Sequence, residues 1–192
     1  MAEPGWIEEL KERYLADAGN VFLLHGVSAD RKWDYDGLQL DTAAVLVRFL
    51  RRTREIVAVL RPLPIPSRIE FADVSDRARF ENLVKAYDLV QGRALALAEN
   101  EPHQALGRIW RCLSTSGTDQ AYVVTDTERL LPAARKRVEP VPGAPDLFDW
   151  PTAPTLQRSN NLVLFLASAA DAVRSELVDA CVTIDLRSAN RT

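Results

Sequence analysis

Five short apolar runs, at 20–27, 55–61, 120–125, 161–168 and 181–186, limit the possible folds of this chain more than any other feature. They are rich in β-branched or aromatic side chains and do not alternate strictly, which is the pattern of strands buried on both faces. Segments with helical spacing lie between them. Asp41-Thr42 can cap a helix through Arg52 that carries Val45, Leu46, Phe49 and Leu50 on one face. The same spacing recurs over 76–89 with Phe80, Leu83, Val84 and Tyr87, over 102–113 with Leu106, Ile109, Trp110 and Leu113, and over 171–179 with Val173, Leu177 and Val178. Strands that alternate with helices imply right-handed crossovers and a sheet covered on both sides. The expected fold is therefore α/β, a three-layer α/β/α sandwich around a mainly parallel five-stranded sheet. One domain of 192 residues accounts for it, with an N-terminal helix in 1–19 and a core over 20–187.

Two segments do not fit a minimal unit. Residues 62–66 read Pro-Leu-Pro-Ile-Pro and must be extended, and 138–156 holds Pro140, Pro142, Pro145, Pro151 and Pro154. Proline at that density excludes a helix or a central strand, so 138–156 is expected to be a long exposed loop. Both segments follow strands, or the helical turns just after them, on the side where α/β folds carry binding sites.

Charge and composition narrow the partners. With 24 basic and 27 acidic residues the chain lacks the positive excess of a general nucleic-acid binder. The clusters Arg51-Arg52-Thr53-Arg54 and Arg135-Lys136-Arg137 are short and have no stacking aromatics beside them, so they read as solvated surface. Cys112 and Cys181 lie in apolar surroundings and read as buried thiols. With two histidines, His25 and His103, the sequence offers no zinc-ligand spacing. The N-terminus carries neither a basic leader nor an apolar signal core, and no apolar run is long enough for a membrane span. A cytoplasmic protein without membrane or nucleic-acid partners is expected.

The chemistry-bearing residues sit at strand ends. Residues 20–33, NVFLLHGVSADRKW, run from a strand into a loop with the spacing of a phosphate-binding turn, which needs Gly, four residues, Gly-Lys, then Ser or Thr. Gly26 and Lys32 match. Arg31 stands where the second glycine would let backbone N–H groups wrap an anion, and Trp33 stands where a hydroxyl would hold Mg²⁺. The run 121–125 then ends in Asp126, followed by Thr127 rather than a water-activating glutamate, with Glu128 one residue late. The run 161–168 ends in the polar Ser168.

Strand-Gly26-Lys32-helix, strand-Asp126 and strand-Ser168 follow one another in the order found in AAA+ ATPases, and over about 18–187 the chain resembles the core of a bacterial AAA+ protein of the P-loop NTPase fold. The resemblance implies ATP with Mg²⁺ as cofactor. Gly26 would then shape the phosphate loop, Lys32 contact the β- and γ-phosphates, Asp126 position the metal and Ser168 orient water. Arg31, Trp33 and Thr127 depart from the pattern at residues the hydrolysis requires. Thr192 follows soon after the fifth strand, so the lid that closes over adenine in AAA+ proteins is not expected, with Arg187 and Arg191 at the start of a linker to it.

Two function classes follow. The first is a degenerate AAA+-like module that acts through protein–protein interaction or self-assembly, needs no cofactor and does not hydrolyse ATP independently. The second is an ATP-binding ATPase module completed by a partner subunit or by a lid on another chain. A metal-dependent hydrolase using Asp34, Asp36 and Asp126 is a third, weaker option. Trp33 and Tyr35 on a polar loop, with Phe148 and Trp150 on the proline-rich loop, would make a partner surface. Packing of Trp33 and Tyr35 back onto the domain is the alternative.

Overall fold

The computed structural model describes residues 3–16, 19–61, 68–80, 82, 119–133 and 161–188. All five predicted strands are present: β1 (Val21–His25), β4 (Ile56–Arg61), β6 (Gln120–Val124), β7 (Leu162–Leu166) and β8 (Val182–Asp185). They form a parallel sheet in the order β4-β6-β7-β1-β8. A sixth strand that the sequence reading missed, β5 (Arg68–Phe71), pairs antiparallel with β4 at the outer edge, where Arg61 and Glu70 meet at 2.8 Å.

Alternate residues of each parallel strand enter opposite cores, as a doubly covered sheet demands. Phe22 and Leu24 of β1 and Val57 and Val59 of β4 pack with Trp6, Ile7 and Leu10 of helix α1 (Gly5–Leu15) and Val45, Leu46 and Leu50 of helix α2 (Thr42–Leu50). Val21, Leu23, Tyr122 and Phe165 face the other side, with Phe80, Val173 and Leu177. Phe80 belongs to helical residues that begin at position 74, and Leu177 to helix α4 (Ser175–Ala180). The three-layer α/β/α sandwich expected from the sequence is thus the observed one.

Three local expectations are corrected. The helix expected over 171–179 is broken into a 3₁₀ turn at Ala170–Ala172 and α4, because Val173 between them is extended (φ −107°, ψ 157°) and buries its side chain in the core. Cys181 closes α4 rather than opening β8.

The largest correction concerns 26–41. The helix expected from Asp41-Thr42 is present, but what joins Lys32 to it is a hairpin and not a loop. Residues Lys32–Tyr35 (β2) and Leu38–Asp41 (β3) form an antiparallel hairpin, and α2 starts only after it. The two-residue turn is Asp36-Gly37, both left-handed (φ 53° and 77°), the geometry that matches the natural twist of a hairpin. Alternation along β2 turns Trp33 and Tyr35 inward, to 5% and 0% exposure. Trp33 packs edge-on against Trp6 with ring centroids 5.8 Å apart, and its indole N–H donates to Thr42 Oγ1 at 2.9 Å. Of the two readings offered for these aromatics, packing onto the domain is the one the structure takes, so they are not an exposed partner surface.

The helix expected over 102–113, the segments 62–66 and 138–156, and the aromatics Phe148 and Trp150 lie outside the described residues.

Candidate functional site

β1 leads away toward β4 at one side of the sheet, while β7, its neighbour, leads across β1 to β8 at the other. Chain connections that diverge in this way open a crevice at the carboxyl ends of the strands, the usual ligand position in open α/β sheets. A cleft is found there. The ends of β1, β6 and β7 line it through Val27, Thr125, Asp126, Ala167 and Ser168, and the start of α2 lines it through Asp41 and Thr42.

The N-terminus of α2 points unpaired N–H groups and a positive dipole end at this cleft, the feature that holds phosphate in many nucleotide sites. Here the chain fills that position itself. The carboxylate of Asp41 accepts the Ala44 N–H at 2.8 Å as an N-cap. Thr42, the first residue of the helix, has its hydroxyl engaged by the Trp33 indole.

Lys32 projects from the hairpin, 3.9 Å from the Asp41 carboxylate, and is not among the residues lining the cleft. Gly26 adopts a left-handed φ of 97° and donates its N–H to the Ser168 carbonyl at 3.1 Å, so this N–H is not offered to a ligand.

Asp126 also has a left-handed backbone (φ 49°, ψ 45°), a conformation that aspartate tolerates better than most residues and that concentrates at functional sites. It precedes the one-turn helix α3 (Thr127–Leu130) without capping it through its side chain. Glu128, in that turn, reaches Ser168: the Ser168 hydroxyl and N–H donate to Glu128 Oε1 at 2.8 and 3.3 Å, while Glu128 Oε2 is buried without a hydrogen-bond partner. Arg61 is the one cation among the described lining residues, and Glu70 holds it. Asp41, Asp126 and Glu128 therefore face a cleft in which the one cation among the described lining residues is already paired.

A match to the family model described as "AAA+ chaperone, N-terminal Rossmann-like domain" covers residues 2–185. The chain belongs to this family. A solved structure described as "Structure of E. coli MS115-1 HORMA:CdnC:Trip13 complex" aligns with a TM-score of 0.40 and 11% identity, over 95% of this chain and 56% of that one. The chain thus spans about half the length of that structural neighbour. No curated protein matches it.

For an AAA+ chaperone N-terminal domain, the natural ligand to test against this cleft is ATP with Mg²⁺. Among the described residues, the groups present do not fit it. A triphosphate needs a cation beside its N–H donors, whereas Asp41 caps the helix terminus, the Gly26 N–H is taken, and Lys32 lies outside. Among the described residues no three His, Cys, Asp or Glu side chains are grouped to hold a metal ion. Asp34 accepts the Gly37 N–H in the hairpin and Asp36 pairs with Arg52 at 2.9 Å, so neither joins Asp126.

Of the four residues expected at the nucleotide, Asp126 and Ser168 line the cleft together. Gly26 borders it through its bond to Ser168, and Lys32 does not take part. From the sequence, Asp41 and Thr42 read only as a helix cap, and Glu128 stands one residue late for a water-activating position. The left-handed Asp126 re-aims the chain, and this is why a glutamate one residue late still arrives at Ser168.

Beside the cleft, Arg187 hydrogen-bonds Asp185 and holds its carboxyl down to about 2. Burial pushes the Cys181 thiol up to about 12, which removes it as a nucleophile near neutral pH. No helix among the described residues is long and apolar enough to cross a membrane.

Proposed function

We propose that this AAA+ chaperone N-terminal domain works by assembling with a protein partner or with copies of itself, and does not hydrolyse ATP on its own. The observation that carries this reading is the Asp41 carboxylate on the N-terminus of α2. It stands where a nucleotide phosphate would otherwise sit, with Asp126 and Glu128 facing the same cleft. Adding a triphosphate there without further cations brings like charges together in a partly enclosed space. What remains available is surface. Leu15 at the end of α1 and Val74 at the start of the helical residues that carry Phe80 are 82% and 87% exposed, and Leu147-Phe148-Asp149-Trp150 adds an apolar stretch in sequence.

The test combines sedimentation with steady-state ATP turnover. The intact domain should form an oligomer or a complex that Phe148→Ala with Trp150→Ala weakens, and turnover should stay at background with or without Lys32→Ala. Assembly unchanged by both substitutions, or turnover that Lys32→Ala abolishes, would overturn the reading.

A second reading is favoured by Asp126 and Ser168 lining one cleft at the divergence of β1 and β7. In it, ATP with Mg²⁺ binds only in an assembly, with Asp126 toward the metal, Ser168 toward the phosphates and Gly26 bordering them. The missing cation then comes from a partner subunit or from a rearranged Lys32.

A further inference from the structure

The chain that leaves β8 folds back over the Gly26 turn. Arg187 meets Asp185 through Nη2–Oδ2 at 2.7 Å and Nε–Oδ1 at 3.0 Å, and its backbone N–H donates to Asp185 Oδ1 at 2.9 Å. Leu186, between them, is buried, donates its N–H to the His25 carbonyl at 2.9 Å and lines the cleft.

Gly26 is needed here for two separate reasons. Its φ of 97° is one that side-chain-bearing residues rarely adopt, and a methyl group on it would overlap Asp185 Oδ1 and lie 2.9 Å from Arg187 Nε. Contact then continues inward, from the Gly26 N–H to the Ser168 carbonyl and from Ser168 to Glu128. The exit of β8 thus lies close over the Gly26 turn, which hydrogen bonds in turn join to a cleft carboxylate.

We propose that the Asp185–Arg187 pair is a releasable latch on the Gly26 turn, and that its closure sets where Glu128 sits in the cleft. Arg187 is 68% exposed, and an ion pair in that setting exchanges readily with water or with a competing carboxylate. The parts that it confines are less free: Leu186 is buried, and Ser168 bonds to both Gly26 and Glu128. When Arg187 is drawn away by an acidic group of a partner, Asp185 loses its hold over Gly26. The glycine, free to change φ, then releases Ser168. The inference goes beyond the assembly reading and holds whichever ligand the cleft accepts.

A coupling cycle tests it. Gly26→Ala is compared by thermal melting in the parent and in Asp185→Ala/Arg187→Ala. Backbone strain at position 26 is common to both backgrounds, so only the overlap with the pair differs between them. The Tm loss should be clearly smaller without the pair, and an equal loss would overturn the proposal. If Gly26→Ala folds in neither background, NMR of the single variant Arg187→Ala decides. The Ser168 amide and Glu128 carboxyl signals should shift while the Val57 amide does not. Shifts confined to Gly26 and 184–188 would refute the link to the cleft.

Discussion

Replacing Trp33 by alanine separates a core role from an interface role. The side chain is 5% exposed, packs against Trp6 and hydrogen-bonds Thr42. Emptying such a site costs about 3–5 kcal/mol through lost burial and the cavity left behind. For a chain of this size each kcal/mol lowers Tm by roughly 2–4 °C, so Trp33→Ala should melt about 6–20 °C below the parent. Trp33→Phe keeps most of the packing and loses the indole N–H, a net effect of about 1–2 kcal/mol or roughly 2–8 °C. Urea unfolding followed by far-UV circular dichroism measures both without relying on the altered fluorophore. A domain stability of roughly 5–15 kcal/mol leaves the variants foldable enough to compare. Stability within about 0.5 kcal/mol of the parent for Trp33→Ala would refute the buried hairpin, since surface substitutions fall in that range. Loss of an oligomer in the same variant would return Trp33 to an interface.

Further outcomes follow from other parts of the fold. Asp76 is fully buried, takes Arg51 Nη1 at 2.8 and 2.9 Å and accepts the Val57 N–H at 3.2 Å. Asp76→Ala should therefore cost about 1–3 kcal/mol in chemical denaturation, with Asp76→Asn closer to the parent because it retains an acceptor; equal losses would contradict the role of that N–H bond. Gly37 has nothing within 4 Å of an added Cβ, so Gly37→Ala isolates its left-handed φ of 77° and should cost about 1 kcal/mol; an unchanged melt would argue against the Asp36-Gly37 turn. Asp185 has a folded value near 2, below its unfolded one. Its contribution is complete above roughly pH 4 and disappears as pH falls through about 2. Loss of the Arg187→Ala effect already at pH 5 would contradict this.

The strands were legible because a parallel sheet covered on both faces leaves continuous apolar runs, as in Phe22-Leu23-Leu24 and Val57-Ala58-Val59. β5 was not, since Arg68–Phe71 is a four-residue edge strand whose pairing depends on the exposed side of β4. The hairpin did leave a signal. Lys32-Trp33-Asp34-Tyr35 alternates, and Asp36-Gly37 is a strong two-residue turn sequence. It was obscured because Gly26 and Lys32 also satisfied a phosphate-loop spacing. Spacing along the chain carries no such meaning once the intervening residues pair as strands: α2 begins at Thr42, and Lys32 is left on the hairpin. Asp126 and Ser168 could be placed because strand ends are fixed by the sheet, whereas the reach of Glu128 depends on a backbone angle at Asp126.

Melting of the whole domain with and without millimolar ATP–Mg²⁺ tests the central claim, that Asp41 and its neighbouring carboxylates leave no independent nucleotide site. A ligand at a hundredfold excess over its dissociation constant stabilises the fold by about 2.7 kcal/mol, or roughly 5–11 °C at this size. The account predicts no shift. An upward shift of that order, lost on Lys32→Ala or Asp126→Ala, would contradict it.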